Sequence, residues 1–217
     1  GVARRNDDQV IPVVLHVFQQ DLDDLPAEVV PVVLIYKGVG LVDEQHTPQS
    51  GVDDQVVTAF GGKTVLVLAP GASLAEEAGR NAVTAAKADC IVSANFCPEF
   101  CQPDYAFFTN SKRFEKLDLA ALPCPVVLTS NLRPLPQGAL AVNYDRLAAP
   151  DVQNASLGSN SVLMLLRLLR LCGAKAVLLA GADGYKPGTP AYADSLLHAH
   201  TGRGAAFNTA MAGAIKA

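Results

Sequence analysis

Several familiar signatures are missing from this 217-residue chain, and each absence excludes something. No apolar run approaches the ~18–20 residues that a membrane-spanning helix needs, so no membrane span is expected. No CxxC pair and no Cys/His cluster occurs. The five cysteines, Cys90, Cys97, Cys101, Cys124 and Cys172, are odd in number. An odd set without paired spacing argues against a disulfide framework or a metal centre and predicts reduced thiols in a cytoplasmic protein. Cys97 and Cys101 are the only close pair, and they are read as half-buried structural thiols. Strong positive charge is also lacking: 17 Lys and Arg against 21 Asp and Glu give a net charge of −4, which argues against nucleic acid as a partner. There is no signal-peptide pattern and no initiator methionine. The opening Gly1 is read as a scar left on a piece of something longer. Neither an internal repeat nor a low-complexity tract is visible.

What is present is half apolar and 18% charged, enough to build a core without covalent staples. Charge is unevenly spread. Residues 1–60 carry a net of −7 and residues 61–217 a net of +3, so the later part is better suited to an anionic ligand. In the first part, Ile11–Phe18 and Val29–Tyr36 are Val-rich runs read as short strands, separated by the acidic stretch Asp21–Glu28. This part is expected to be an appendage or a linker, and residues 61–217 one domain.

From Lys63 onward the pattern becomes regular. Thr64–Ala69 is a continuous apolar run of the kind buried on both faces of a parallel sheet. Ser73 to Glu76 matches a capping box, which predicts a helix running to about Ala88. Further strands are expected at Cys90–Ala94, Tyr105–Thr109, Val126–Thr129, Ala139–Val142 and Ala176–Ala180. Asn160–Cys172 is Leu-rich on nearly every side and reads as a deeply buried helix that Gly173 ends. Thr209–Lys216 is read as a last helix. Alternating strands and helices predict an α/β fold: a parallel sheet with right-handed crossovers and helices on its faces.

Ligands of such sheets lie beyond the carboxyl ends of the strands. The residues expected there are Pro70–Ser73, Asn95, Asn110, Thr129–Asn131 and Asp183–Tyr185. Gly71 would let the backbone approach a phosphate, although the turn matches neither GxGxxG nor a P-loop, and Ser73 fits equally as a helix cap. Asn95 and Asn110 could read a hydroxyl or base edge, or simply end their strands. Asp183 could hold a sugar hydroxyl, and Tyr185 and Tyr192 could donate to a phosphate. A helix cap and two half-buried aromatics would look the same.

The segments VLVLAPGASL (65–74), SANFCPEFCQPDYAFFTN (93–110) and SNSVLMLLRLLRLCGAKAVLLAGADGY (159–185) carry a resemblance. Residues 63 to about 195 resemble bacterial CMP-sialic-acid-dependent sialyltransferases and a wider set of Rossmann-like domains, among them methanopterin-type hydroxymethylpterin pyrophosphokinases. Similar modules also look like the C-terminal part of bacterial proteins that begin with an aldolase-type barrel. The resemblance implies a Rossmann-like nucleotide-binding domain acting as a glycosyltransferase. Gly71 and Ser73 would face the nucleotide phosphate, and Asn95 and Asn110 the nucleotide and donor sugar. Ser159 or Ser161, with Asn160 between them, would touch the sugar, and Asp183 the ribose. Tyr185 and Tyr192 would support the leaving phosphate, and His198 or His200 would act as base. No cofactor or metal is implied, the nucleotide-sugar being the substrate. The first turn, Ala69-Pro70-Gly71-Ala72, lacks the polar residue that the family usually places before the glycine. Two other readings stay open: a pyrophosphokinase-like transferase, and a non-catalytic ligand-binding domain joined to an N-terminal catalytic domain. Homo-oligomerisation is compatible with all three.

Overall fold

The computed structural model describes residues 34–37, 52–118, 121–148, 155–184 and 205–216. The strands come in the order β1 (Leu34–Lys37), β2 (Thr64–Leu68), β3 (Cys90–Ala94), β4 (Tyr105–Phe108), β5 (Val126–Thr129), β6 (Leu140–Val142) and β7 (Ala176–Ala180). The helices are α1 (Asp54–Phe60), α2 (Glu77–Ala85), α3 (Ser111–Phe114), α4 (Tyr144–Leu147), α5 (Ala155–Gly158), α6 (Ser161–Leu171) and α7 (Ala205–Lys216). A 3-10 turn, Ala72–Ala75, lies between β2 and α2.

Six strands, β7-β2-β3-β4-β5-β6 in spatial order, are parallel, and helices cover both faces, giving a Rossmann-like α/β fold. β1 adds one antiparallel edge against β7, with Leu34 opposite Leu179 and Lys37 opposite Ala176. It overlaps the end of the second Val-rich run and extends one residue past it. The first run, Ile11–Phe18, lies outside the described residues.

Alternation along each strand divides the core into two layers. On one face Val65, Val67, Val92, Phe107, Val127 and Leu179 pack against Val56, Ala59 and Phe60 of α1 and Met164, Leu165, Leu168 and Leu169 of α6. Helix α1 precedes residue 61, yet its apolar side belongs to this core. On the other face Leu66, Leu68, Leu178 and Ala180 meet Leu74, Val83 and Phe96. Ala106, Phe108, Val126 and Leu128 meet Phe114 and Leu132. With both faces covered, the strands have no reason to alternate apolar with polar, which is why they read as unbroken apolar runs.

Helix α6 ends as its sequence predicts. Gly173, at φ 72°, donates to the Arg170 carbonyl, and Ala174 donates to that of Leu169. This paired closure needs a left-handed residue, for which glycine carries no Cβ penalty. Arg167, midway along α6, donates from Nη1 to the carbonyls of Leu147 (2.7 Å) and Gly158 (3.2 Å), fastening α4 and α5 to the core. Burial lowers its pKa from the usual arginine range.

The helix expected from Ser73 to about Ala88 is shorter than its sequence suggests. Ser73 does not cap it, and α2 starts at Glu77, with Glu76 at the N-cap making no side-chain bond. The predicted capping box is therefore not formed, because the Ser73 hydroxyl has a more distant partner. At the other end of the chain α7 begins four residues before the expected Thr209.

Candidate functional site

Strand order sets the location. From β2 the chain steps outward to β6, and its connections cross the face that carries Leu74, Val83, Phe96, Phe114 and Leu132. It then returns along the opposite face through α6 to place β7 on the other side of β2. Beyond β2 the chain enters α2 on one face. The next described helix after β7, α7, packs on α6 on the other. The carboxyl ends of β2 and β7 thus flank a topological switch point, where open α/β sheets form their binding crevice.

At this point the two strand ends are tied together. Ala69 donates to the Ala180 carbonyl and Gly71 to the Gly181 carbonyl, both at 2.8 Å. Beyond them, the Ser73 amide donates to Asp183 Oδ2 and the Ser73 hydroxyl to Asp183 Oδ1, each at 2.6 Å. The approach depends on glycine. A Cβ on Gly71 would overlap the Gly181 carbonyl oxygen and come within 2.6 Å of Asp183 Oδ2. Gly184, at φ 77°, faces α7 so closely that a Cβ would lie 2.9 Å from Asn208 Cγ. Gly71, Ser73 and Asp183, each expected at a strand end, meet here, and the sequence carries no sign that Asp183 is Ser73's own partner.

The ends of β3, β4 and β5 carry a second polar group. Asn95 is 4% exposed and has φ 59°, a backbone region that asparagine tolerates better than most residues. Its Oδ1 accepts from the amides of Thr109 (2.9 Å) and Asn110 (3.4 Å). Asn131 Nδ2 donates to the Thr109 carbonyl at 3.1 Å, and Thr129 Oγ1 donates to Asn131 Oδ1 at 2.6 Å. Asn110 is exposed and caps α3, accepting from the Arg113 amide with Oδ1 at 3.1 Å.

A third group stands at the start of α6. Because α6 runs antiparallel to β7, this end of the helix faces the same side of the sheet. Asn160 is the N-cap, its Oδ1 accepting from Val162 (3.0 Å) and Leu163 (3.2 Å). Its Nδ2 points toward Met211 Sδ on α7, 4.0 Å away. Asn208 and Met211 are three residues apart on α7, so this helix links the Asn160 end to Gly184. Ser159 is exposed and Ser161 half-buried, and of the three residues Asn160 is the one that caps the helix. Asn208 was not foreseen, since the last helix was expected to begin one residue after it.

Tyr185, Tyr192, His198 and His200 lie outside the described residues. Among the described residues no group of three His, Cys, Asp or Glu is placed to hold a metal ion. Compared with known proteins, the chain matches no family model, no curated sequence and no solved structure.

Proposed function

We propose that this domain binds a nucleotide-activated sugar, CMP-sialic acid in type, across the carboxyl ends of β7, β2, β3 and β4, and transfers the sugar. The observation carrying this reading is a glycine backbone and one carboxylate joined at a topological switch point, with helix-capping asparagines at a nearby strand end and at the start of α6. Each cap uses only Oδ1 of Asn110 and Asn160, so Asn110 Nδ2, and the hydrogen of Asn160 Nδ2 that is not directed at Met211 Sδ, can donate to phosphate or hydroxyl oxygens. Asp183 accepts two bonds from Ser73, and a carboxylate has about four lone-pair sites. A ribose hydroxyl can therefore be added without breaking the turn. In this reading the sugar is displaced directly at its anomeric carbon. Tyr185 and Tyr192 donate to the departing phosphate, and His198 or His200 takes the acceptor's proton.

The test begins with thermal shift and calorimetry using CMP, CDP, UDP, ATP and a pterin, since a ligand selective for the folded state raises Tm. CMP should give the largest shift. Asn110→Asp and Asn160→Asp keep the cap, because aspartate caps as well as asparagine. Each replaces a donor with a negative charge, so CMP affinity should fall at least tenfold, with the Tm of the Asn110 variant unchanged. If no nucleotide at millimolar concentration moves Tm, the reading fails.

A second reading, ligand binding without catalysis, is favoured by the pairing of both Asp183 oxygens with Ser73, which gives the carboxylate a turn-holding role. CMP binding without turnover of CMP-sialic acid would select it.

A further inference from the structure

The sequence-close cysteines Cys97 and Cys101 pack into different apolar groups, and Cys97 shares its group with Cys124. Cys97 lies three residues beyond β3, in the connection that crosses back toward β4, and Cys124 lies two residues before β5. β4 lies between β3 and β5, so both thiols come to lie over the same apolar group of Ala106, Phe108, Phe114 and Leu128. There the Cys97 and Cys124 thiols interact directly with each other. Both are half-buried, within reach of a small oxidant. Neither is on a helix or strand, so the sulfurs can close to the ~2.05 Å of a disulfide by adjustment of irregular backbone.

We propose that Cys97 and Cys124 form a redox pair, Cys97 reacting first with a hydroperoxide and Cys124 resolving it into a Cys97–Cys124 disulfide. The Cys97 thiolate attacks the terminal peroxide oxygen. The O–O bond breaks, and the leaving oxygen takes a proton to depart as water or an alcohol, with Cys97 oxidised to a sulfenic acid. Cys124 sulfur then attacks Cys97 sulfur, the S–O bond breaks, and hydroxide leaves with the Cys124 proton as water. Two thiols and one hydroperoxide give one disulfide, one water, and one further water or alcohol.

The five thiols are not equivalent in this chemistry. The interaction with Cys124 holds Cys97 below the ordinary thiol range against the opposing effect of burial. That same interaction, with burial, pushes Cys124 up. Burial pushes Cys90 up to about 11, with the Asp104 charge adding to it, and Cys172 up to about 12. Cys101, half-buried like Cys97, is also raised, by burial and then by Asp104. Nucleophilic thiolate therefore concentrates on Cys97.

The folded, reduced chain is treated with hydrogen peroxide near neutral pH and mapped by mass spectrometry. Intact mass should fall by the two hydrogens lost, and digestion should yield a peptide joining Cys97 to Cys124, released by a dithiol reductant. In Cys124→Ser, a sulfenic-acid trap such as dimedone should label Cys97 at least roughly tenfold over Cys101. In Cys97→Ser no cross-link should form. Equal labelling of Cys97 and Cys101, or a disulfide joining Cys97 to Cys101, would overturn the proposal.

Discussion

Replacing Asp183 by alanine tests the junction on which the candidate site rests. The carboxylate accepts from the Ser73 amide and hydroxyl at 2.6 Å each, and Ser73 is only 8% exposed. A hydrogen bond to a charged group contributes about 1.5–3 kcal/mol. Asp183 is half-buried, so water recovers part of what two such bonds supply, and the expected loss is about 3 kcal/mol for the pair. For a domain of this size that corresponds to a Tm lower by roughly 6–12 °C. Asp183→Asn keeps an oxygen for the Ser73 amide, while its Nδ2 can donate to the Ser73 hydroxyl once that rotates. Its cost should be nearer 1 kcal/mol, the worth of the lost charge assistance. Ser73→Ala removes the hydroxyl bond alone and should also cost about 1 kcal/mol. Urea unfolding of Ser73→Ala, Asp183→Ala and the double variant gives a closed cycle. Residues in direct contact should show a coupling of about 1 kcal/mol. If Asp183→Ala costs less than about 0.5 kcal/mol and the coupling is within error of zero, the turn is held by something other than the Ser73–Asp183 pair.

Three other consequences can be measured. Gly71→Ala should destabilise by more than about 3 kcal/mol, seen as a lower urea midpoint, because its Cβ would overlap the backbone oxygen of Gly181, which cannot swing aside as a side chain would. Ser93→Ala should be neutral or stabilising by up to about 1 kcal/mol in the same assay, since Ser93 is fully buried and its hydroxyl has no hydrogen-bond partner among the described residues. Stability should fall with alkaline pH: the unfolded chain ionises its cysteines near the ordinary value of 9.0, while folded Cys90 and Cys172 hold their protons to about 11 and about 12. Fewer protons on the unfolded state make ∂ΔG/∂pH negative, so stability is complete below about pH 8 and lost progressively from about pH 9 to 12. Cys90→Ala/Cys172→Ala should flatten that decline.

The contrast between what the sequence reveals and what it hides follows from the range of each interaction. Strands β2 to β7 were legible because a doubly covered parallel sheet demands unbroken apolar runs, and Thr64–Leu68 and Val126–Thr129 are short, β-branched runs of that kind. Helix α6 was legible because its cap, apolar body and terminal glycine are all local. The polar residues at the strand ends stood out for the same reason: an apolar run makes the first polar residue after it conspicuous. Their partners were hidden because the decisive bonds are not local. Ser73 had two competing uses. One was a capping box with Glu76, three residues away; the other was Asp183, which lies 110 residues away in sequence and against Ser73 in space. A carboxylate that offers one oxygen to the amide and the other to the hydroxyl satisfies two donors of Ser73 together, which the local cap could not do. The thiols repeat the lesson. Close spacing singled out Cys97 with Cys101, yet β4 between β3 and β5 brings Cys124 to Cys97. In a parallel sheet the crossover connections make distant residues neighbours, so a site built at strand ends is visible residue by residue while its pairing is set only by strand order.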